Sequence, residues 1–249
     1  MKLNTIAASL ATAAALSLAS TSASAVTVAG VTWDPDSPVD FVAQSAFLET
    51  VALNAGESIT GFGIITQFNL LQPDTFCPSC ELTFQFYDYQ LANNLSGVVG
   101  ETFNFTGGTL DVWVSERNFD AFNVATAIDG TLFLRFEGVD VDSDGFTLTG
   151  SITEPSTAGL AGEGSGFLSV VDGVAMSYFD TDGETGGADI LYTSSFTPLN
   201  NPVVTGDVTY THAATAEIRG NTVPEPSALA LLGLGLIGLG AARRMKKAA

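Results

Sequence analysis

Thr109-Leu110-Asp111-Val112-Trp113-Val114 places apolar residues at every second position. Successive side chains of a β-strand point to opposite faces, so Leu110, Val112 and Val114 share one face and Asp111 takes the other. The same period recurs at Thr83-Phe84-Gln85-Phe86-Tyr87, Thr131-Leu132-Phe133-Leu134-Arg135-Phe136, Phe146-Thr147-Leu148-Thr149 and Val208-Thr209-Tyr210-Thr211. Glycine, Asp or Asn bounds each run. Gly107-Gly108, Asp129-Gly130, Asp144-Gly145 and Asp172-Gly173 read as turns, because Gly and Asx tolerate the positive φ of tight hairpins. Val39 to Val51 reads as one short helix. Glu154 to Gly166 is too rich in Gly, Ala and Ser for a strand and reads as a loop, with Thr181 to Gly187 a second polar turn. The expected fold is all-β, an antiparallel β-sandwich or jelly roll of roughly ten to fourteen strands. No repeat of about 20 to 50 residues suggests a solenoid or propeller.

Both ends of the chain differ from this middle. Lys2, the apolar stretch Ile6 to Leu18 and the small-residue site Ala23-Ser24-Ala25 describe a secretory signal peptide, residues 1–25, for Sec-type export machinery. The mature chain is then expected to begin near Val26, leaving residues 26–222 as one exported β domain. The tail, residues 223–249, has three parts. Val223-Pro224-Glu225-Pro226 is held extended by its prolines. Ser227 to Ala242 is uncharged and would make a helix of about 24 Å, a little short of a hydrocarbon core of about 30 Å. Residues 243–249 open with Arg243-Arg244-Met245-Lys246-Lys247, which would hold that end in the cytoplasm.

This tail, from Val223 to Lys247, resembles the PEP-CTERM sorting signal. The Pro224-Glu225-Pro226 motif, the Gly/Leu-rich transmembrane segment and the Arg243-Arg244 cluster stand in that family's order. The resemblance implies export, transient anchoring in the inner membrane with the C-terminus cytoplasmic, and processing near the motif by an exosortase, a membrane-embedded transpeptidase-like enzyme. It implies nothing about the chemistry of the exported domain.

Charge narrows that chemistry. Five of the eight basic residues (Lys2, Arg243, Arg244, Lys246, Lys247) and one of the 27 acids (Glu225) lie in the terminal segments. The middle therefore sets 26 acids against Arg117, Arg135 and Arg219, a net charge of −23, without a lysine. Such a surface repels nucleic acid and attracts divalent cations, which excludes nucleic-acid binding.

Cys77-Pro78-Ser79-Cys80 reads as a disulfide in an exported chain, since two cysteines and one histidine cannot complete a zinc site without carboxylates. Asp140, Asp142 and Asp144, in Asp-Val-Asp-Ser-Asp-Gly, match the first half of a Ca²⁺ loop, but Ser151 stands where the bidentate Glu belongs. Asp180-Thr181-Asp182-Gly183-Glu184 and Asp34-Pro35-Asp36 are weaker versions. No catalytic constellation assembles. His212, the only histidine, sits in an alternating segment and reads as a hydrogen-bonded strand residue, and Gly233 to Gly238 imitates a dinucleotide fingerprint inside the apolar tail. Trp33, Trp113, Phe119, Phe122, Tyr87, Tyr89 and Tyr178 could form a sugar-stacking face, Trp33 being the best candidate for an exposed ring. The expected role is a non-enzymatic surface or extracellular-matrix protein supporting exopolysaccharide, biofilm or floc. The alternatives are a calcium-dependent carbohydrate-binding module and a carboxylate-dependent glycoside hydrolase.

Overall fold

A computed structural model describes residues 25–223, apart from 36, 38–40 and 157–158. The signal-peptide residues up to 24, including Ala23, lie outside the described residues. So do residues 224–249, with Pro224, Glu225, Pro226, Arg243 and Arg244. Among the described residues no helix is long and apolar enough to cross a membrane.

The alternating runs become eleven strands among the described residues. β1 (Val26–Val28) and β2 (Val31–Trp33) form a separate hairpin. There follow β3 (Phe41–Glu49), β4 (Ser58–Phe68), β5 (Glu81–Leu91), β6 (Thr102–Ser115), β7 (Thr131–Val139), β8 (Leu148–Ser156), β9 (Gly159–Asp172), β10 (Ile190–Thr205) and β11 (Val208–Gly220). Two one-turn helices, α1 (Pro73–Phe76) and α2 (Met176–Phe179), lie in connections. The all-β antiparallel expectation holds. β3 to β11 form one antiparallel sheet, and the additional β9–β10 pairing joins its ends. Two layers facing each other across a core, as in a sandwich, are here the opposite walls of a sheet closed on itself.

Each stave of this barrel pairs with its sequence neighbour, except that the last, β11, closes on the first, β3, and that one stave is divided between two strands. β6 pairs Thr109 to Val114 with β7 but Thr102 to Phe105 with β8, and β9 likewise divides its length between them. β7 and β8 are two halves of one stave, interrupted by the acidic loop that carries Asp140, Asp142 and Asp144. Eight staves result, a number whose interior either fills with side chains or holds one small ligand. Closure pairs the edge strands that would otherwise template aggregation.

Three expectations are corrected. Val39 to Val51 is not a helix: Phe41–Glu49 is β3, hydrogen-bonded to β11 on one side and β4 on the other. Ala, Gln, Leu and Glu are good helix formers, but intrinsic propensity is worth only tenths of a kcal/mol per residue, and two flanking ladders outweigh it. Gly107-Gly108 is not a turn but an irregularity inside β6, both residues at positive φ (69° and 97°). The Gly-rich segment after Glu154 is strand, not loop. Aromatic rings of neighbouring strands occupy the space that a Cβ would take: Phe196 beside Gly162, its cross-strand partner, and Tyr192 beside Gly166.

Candidate functional site: the barrel lumen and its ends

Phe41, Ala43, Ser45 and Phe47 alternate inward along β3, and the same face continues to Glu49 where the strand ends. The other staves send aromatic rings to the same interior: Phe84, Phe86 and Tyr89 from β5, Phe103 and Phe105 from β6, Tyr192 and Phe196 from β10. Tyr89 reaches it because Asp88, at φ 62°, makes a bulge that shifts the inward face by one residue. The rings leave a cavity of ≈ 110 Å³ with a largely apolar wall.

The ends of the lumen differ. Where β3 begins and β11 finishes, the barrel is plugged by Trp33. Its ring contacts Tyr178 and Phe179 at 5.4 Å and Phe68 and Phe133 at 6.2 Å between centroids. Phe41 and Phe76 complete the cluster. Cys77 and Cys80 are disulfide-bonded, both buried, at its edge. The Arg117 guanidinium donates to the Cys77 and Cys80 carbonyls at 2.9 and 3.0 Å and so holds the disulfide loop in place. At the far end the cavity reaches Thr50, Val51 and Ala52 beyond β3, and Leu95 of the β5–β6 loop. Val51, Leu53, Val98 and Val99 are exposed there. The two loops brace each other through Leu95 N–H to the Leu53 carbonyl at 2.8 Å and Ala55 N–H to Asn94 at 2.8 Å.

Polar groups in the lumen are few. His212, directly across from Glu49 in the β3–β11 ladder, approaches the Leu160 carbonyl with Nε2 at 2.9 Å and the Thr211 hydroxyl with Nδ1 at 2.9 Å. A carbonyl only accepts, so Nε2 carries the proton and Nδ1 accepts from Thr211. Burial lowers the pKa of His212, consistent with this neutral form. Glu49 makes no hydrogen bond or ion pair among the described residues, and burial pushes its carboxyl up to about 8. The Tyr192 hydroxyl is buried without a hydrogen-bond partner. Burial raises its pKa well above the ordinary value, with smaller contributions from Tyr89 and Glu49. The Tyr89 hydroxyl contributes to that shift, the two ring centroids lying 6.5 Å apart. Neither Glu49 nor Tyr192 was singled out in the sequence, although the alternation from Phe41 to Phe47 already assigns Glu49 to the inner face.

The sugar-stacking residues are not brought together. Trp33 is 1% exposed, which corrects the expectation of an exposed ring. It and Tyr178 belong to the plug, Tyr89 to the lumen, and Phe119 to an outer cluster with Phe62 and Tyr210. Tyr87 donates to Asp111 on the barrel exterior, and Phe122 is 71% exposed.

Asp140, Asp142 and Asp144 do converge, their carboxylate oxygens lying within 4.8 Å of one another on the exposed loop between β7 and β8. Asp140 already accepts the Asp144 and Gly145 N–H groups of that loop. Asp180 and Asp182 converge in the same way with Asp189, a residue missed in the sequence. Asp189 is 1% exposed and accepts the backbone N–H groups of Val170, Thr181 and Asp182, so it shapes the loop after α2. Either set has the oxygen chemistry of a Ca²⁺ site. All three arginines of the described region are paired: Arg117 with Asp74, Arg135 with Asp111 through two nitrogens, and Arg219 with Glu217.

Residues 222–244 match the PEP-CTERM protein-sorting motif. No curated protein and no solved structure matches the chain. The match begins one residue before Val223 and ends at Arg244, so it concerns the tail and leaves the barrel uncharacterised by likeness. The tail of this chain is a PEP-CTERM sorting signal, which marks an exported protein that carries a C-terminal membrane-anchoring segment and is processed by an exosortase.

Proposed function

We propose that the exported barrel is a non-enzymatic component of the cell surface or extracellular matrix, supporting exopolysaccharide, biofilm or floc. The sorting motif at residues 222–244 carries this reading, since it implies that the anchor is temporary and that the barrel leaves the membrane. The surface chemistry supports it. Arg117, Arg135 and Arg219 are each engaged by a carboxylate of the same chain, so no arginine of the described region is left to offset the other acids, most of which are at the surface. A polyanionic domain among polysaccharides stays soluble and is cross-linked through divalent cations.

Deleting the gene tests the role directly, with matrix polysaccharide and cell aggregation as readouts. A loss of either, together with a matrix-borne species beginning near Val26 and ending near Pro226 by intact mass, is the expected result. Unchanged matrix and aggregation would overturn the proposal, and protein found only in membranes with Arg243 retained would overturn the release step.

A further inference from the structure

We infer that the far end of the barrel lumen is a binding site for a neutral, ring-sized apolar molecule bearing one hydroxyl, which Tyr192 and Glu49 would hydrogen-bond. The observation behind it is an apolar cavity whose wall carries the Tyr192 hydroxyl, buried without a hydrogen-bond partner, and the Glu49 carboxyl, half-buried and without a hydrogen bond or ion pair among the described residues. A buried hydroxyl without a partner destabilises a fold, so such groups are uncommon and call for an explanation. Tyr192 has none among the described residues, and it lines the same cavity as Glu49.

Charge selects against anions. The lumen holds no cation: the three arginines are paired elsewhere, and His212 Nε2 is committed to the Leu160 carbonyl. A bound anion would therefore lack a counter-charge in a low-dielectric wall. Shape sets the size. The cavity of ≈ 110 Å³ is smaller than the engineered apolar cavity of about 150 Å³ in another protein that binds benzene, so one ring is its upper limit without widening at Val51. Phe84, Phe86, Phe103 and Phe196 offer edges and faces to such a ring. The exposed aliphatics at the same end, Val51, Leu53, Val98 and Val99, make an apolar rim through which it would enter. This site is independent of the sorting reading, because it depends on the barrel alone.

The test uses the full chain in lipid nanodiscs, with empty nanodiscs as the blank for partitioning. Thermal unfolding is followed by tryptophan fluorescence in the presence of phenol, benzene or benzoate. Phenol is expected to raise the midpoint, benzene to bind about three- to tenfold more weakly for want of the hydrogen bond, and benzoate to have no effect. The substitutions Tyr192→Phe and Glu49→Met together should make phenol and benzene equivalent while both still bind. Should the double variant fail to fold, Tyr192→Phe alone removes most of the preference, since it deletes one oxygen that has no partner to lose. The inference is overturned if none of the probes shifts the midpoint, if phenol shows no advantage over benzene, or if that advantage survives the substitutions.

Discussion

The two ends of the barrel start from the same aromatic-rich alternation and finish differently. At the plugged end Trp33 meets four other rings, supported by the Cys77–Cys80 bridge and by Arg117. At the far end Phe84, Phe86 and Phe103 also meet other rings, yet they line a cavity of ≈ 110 Å³ whose wall includes Glu49 and Tyr192. Close-packed interiors rarely leave such space, so the contrast separates a part of the core that stabilises from a part that can receive something. The plug packs rings from elements outside the barrel, β2 and the two one-turn helices, against Phe41, Phe68 and Phe133 of the barrel strands.

The largest effect should come from emptying the plug. Trp33→Ala removes a fully buried indole and is expected to destabilise the fold by about 3 to 5 kcal/mol, read by denaturant unfolding. A loss below about 1 kcal/mol would mean that the plug is not part of the cooperative core.

Next is the pH dependence of the far end. Glu49 has a folded-state pKa of about 8 against 4.5 unfolded, so the folded chain binds its proton more tightly. The favourable contribution is complete below 4.5 and is lost as pH rises toward 8, by up to a few kcal/mol at about 1.4 kcal/mol per pKa unit. His212 acts with the opposite sign, because its lowered pKa removes stability as pH falls through its unfolded value of 6.5. Subtracting the Glu49→Gln profile from that of the natural protein isolates Glu49. The difference should fall between pH 4.5 and 8, and a flat difference would show that Glu49 reaches water when folded.

The disulfide comes last. Its two cysteines are three positions apart, and loop-closure entropy for so short a ring amounts to about 2 kcal/mol. Replacing Cys77 and Cys80 by Ala should cost about that or less, measured by the same unfolding assay, and should leave phenol binding at the far end unaltered. A change in phenol affinity would show that the two ends are coupled.

How far the sequence could be read depends on the physics behind each element. β5, β6, β7 and β11 were legible because their alternation is carried by large apolar residues, such as Phe84 and Phe86 or Val112 and Val114. β3 was not, because Ala43 and Ser45 are weak markers of an inner face and the segment's composition suits a helix. The Gly-rich part of β9 was hidden for another reason. Gly162 and Gly166 are strand residues only because Phe196 and Tyr192 lie beside them, and those partners are about thirty positions away. Cys77 and Cys80 were read correctly from export and cysteine count, whereas Trp33 was misread because Asp34 and Asp36 beside it suggested the surface.

Local information is enough to determine the address labels, the acidic surface, the disulfide and most strands of this protein, since each depends on residues a few positions apart. Closure of the sheet by β11 against β3, the sharing of one stave by β7 and β8, the burial of Trp33 and the meeting of Glu49 with Tyr192 were decided by tertiary structure alone. Glu49 and Tyr192 are separated by 143 positions, and nothing in a strand's period records which strand will lie opposite it across a closed barrel.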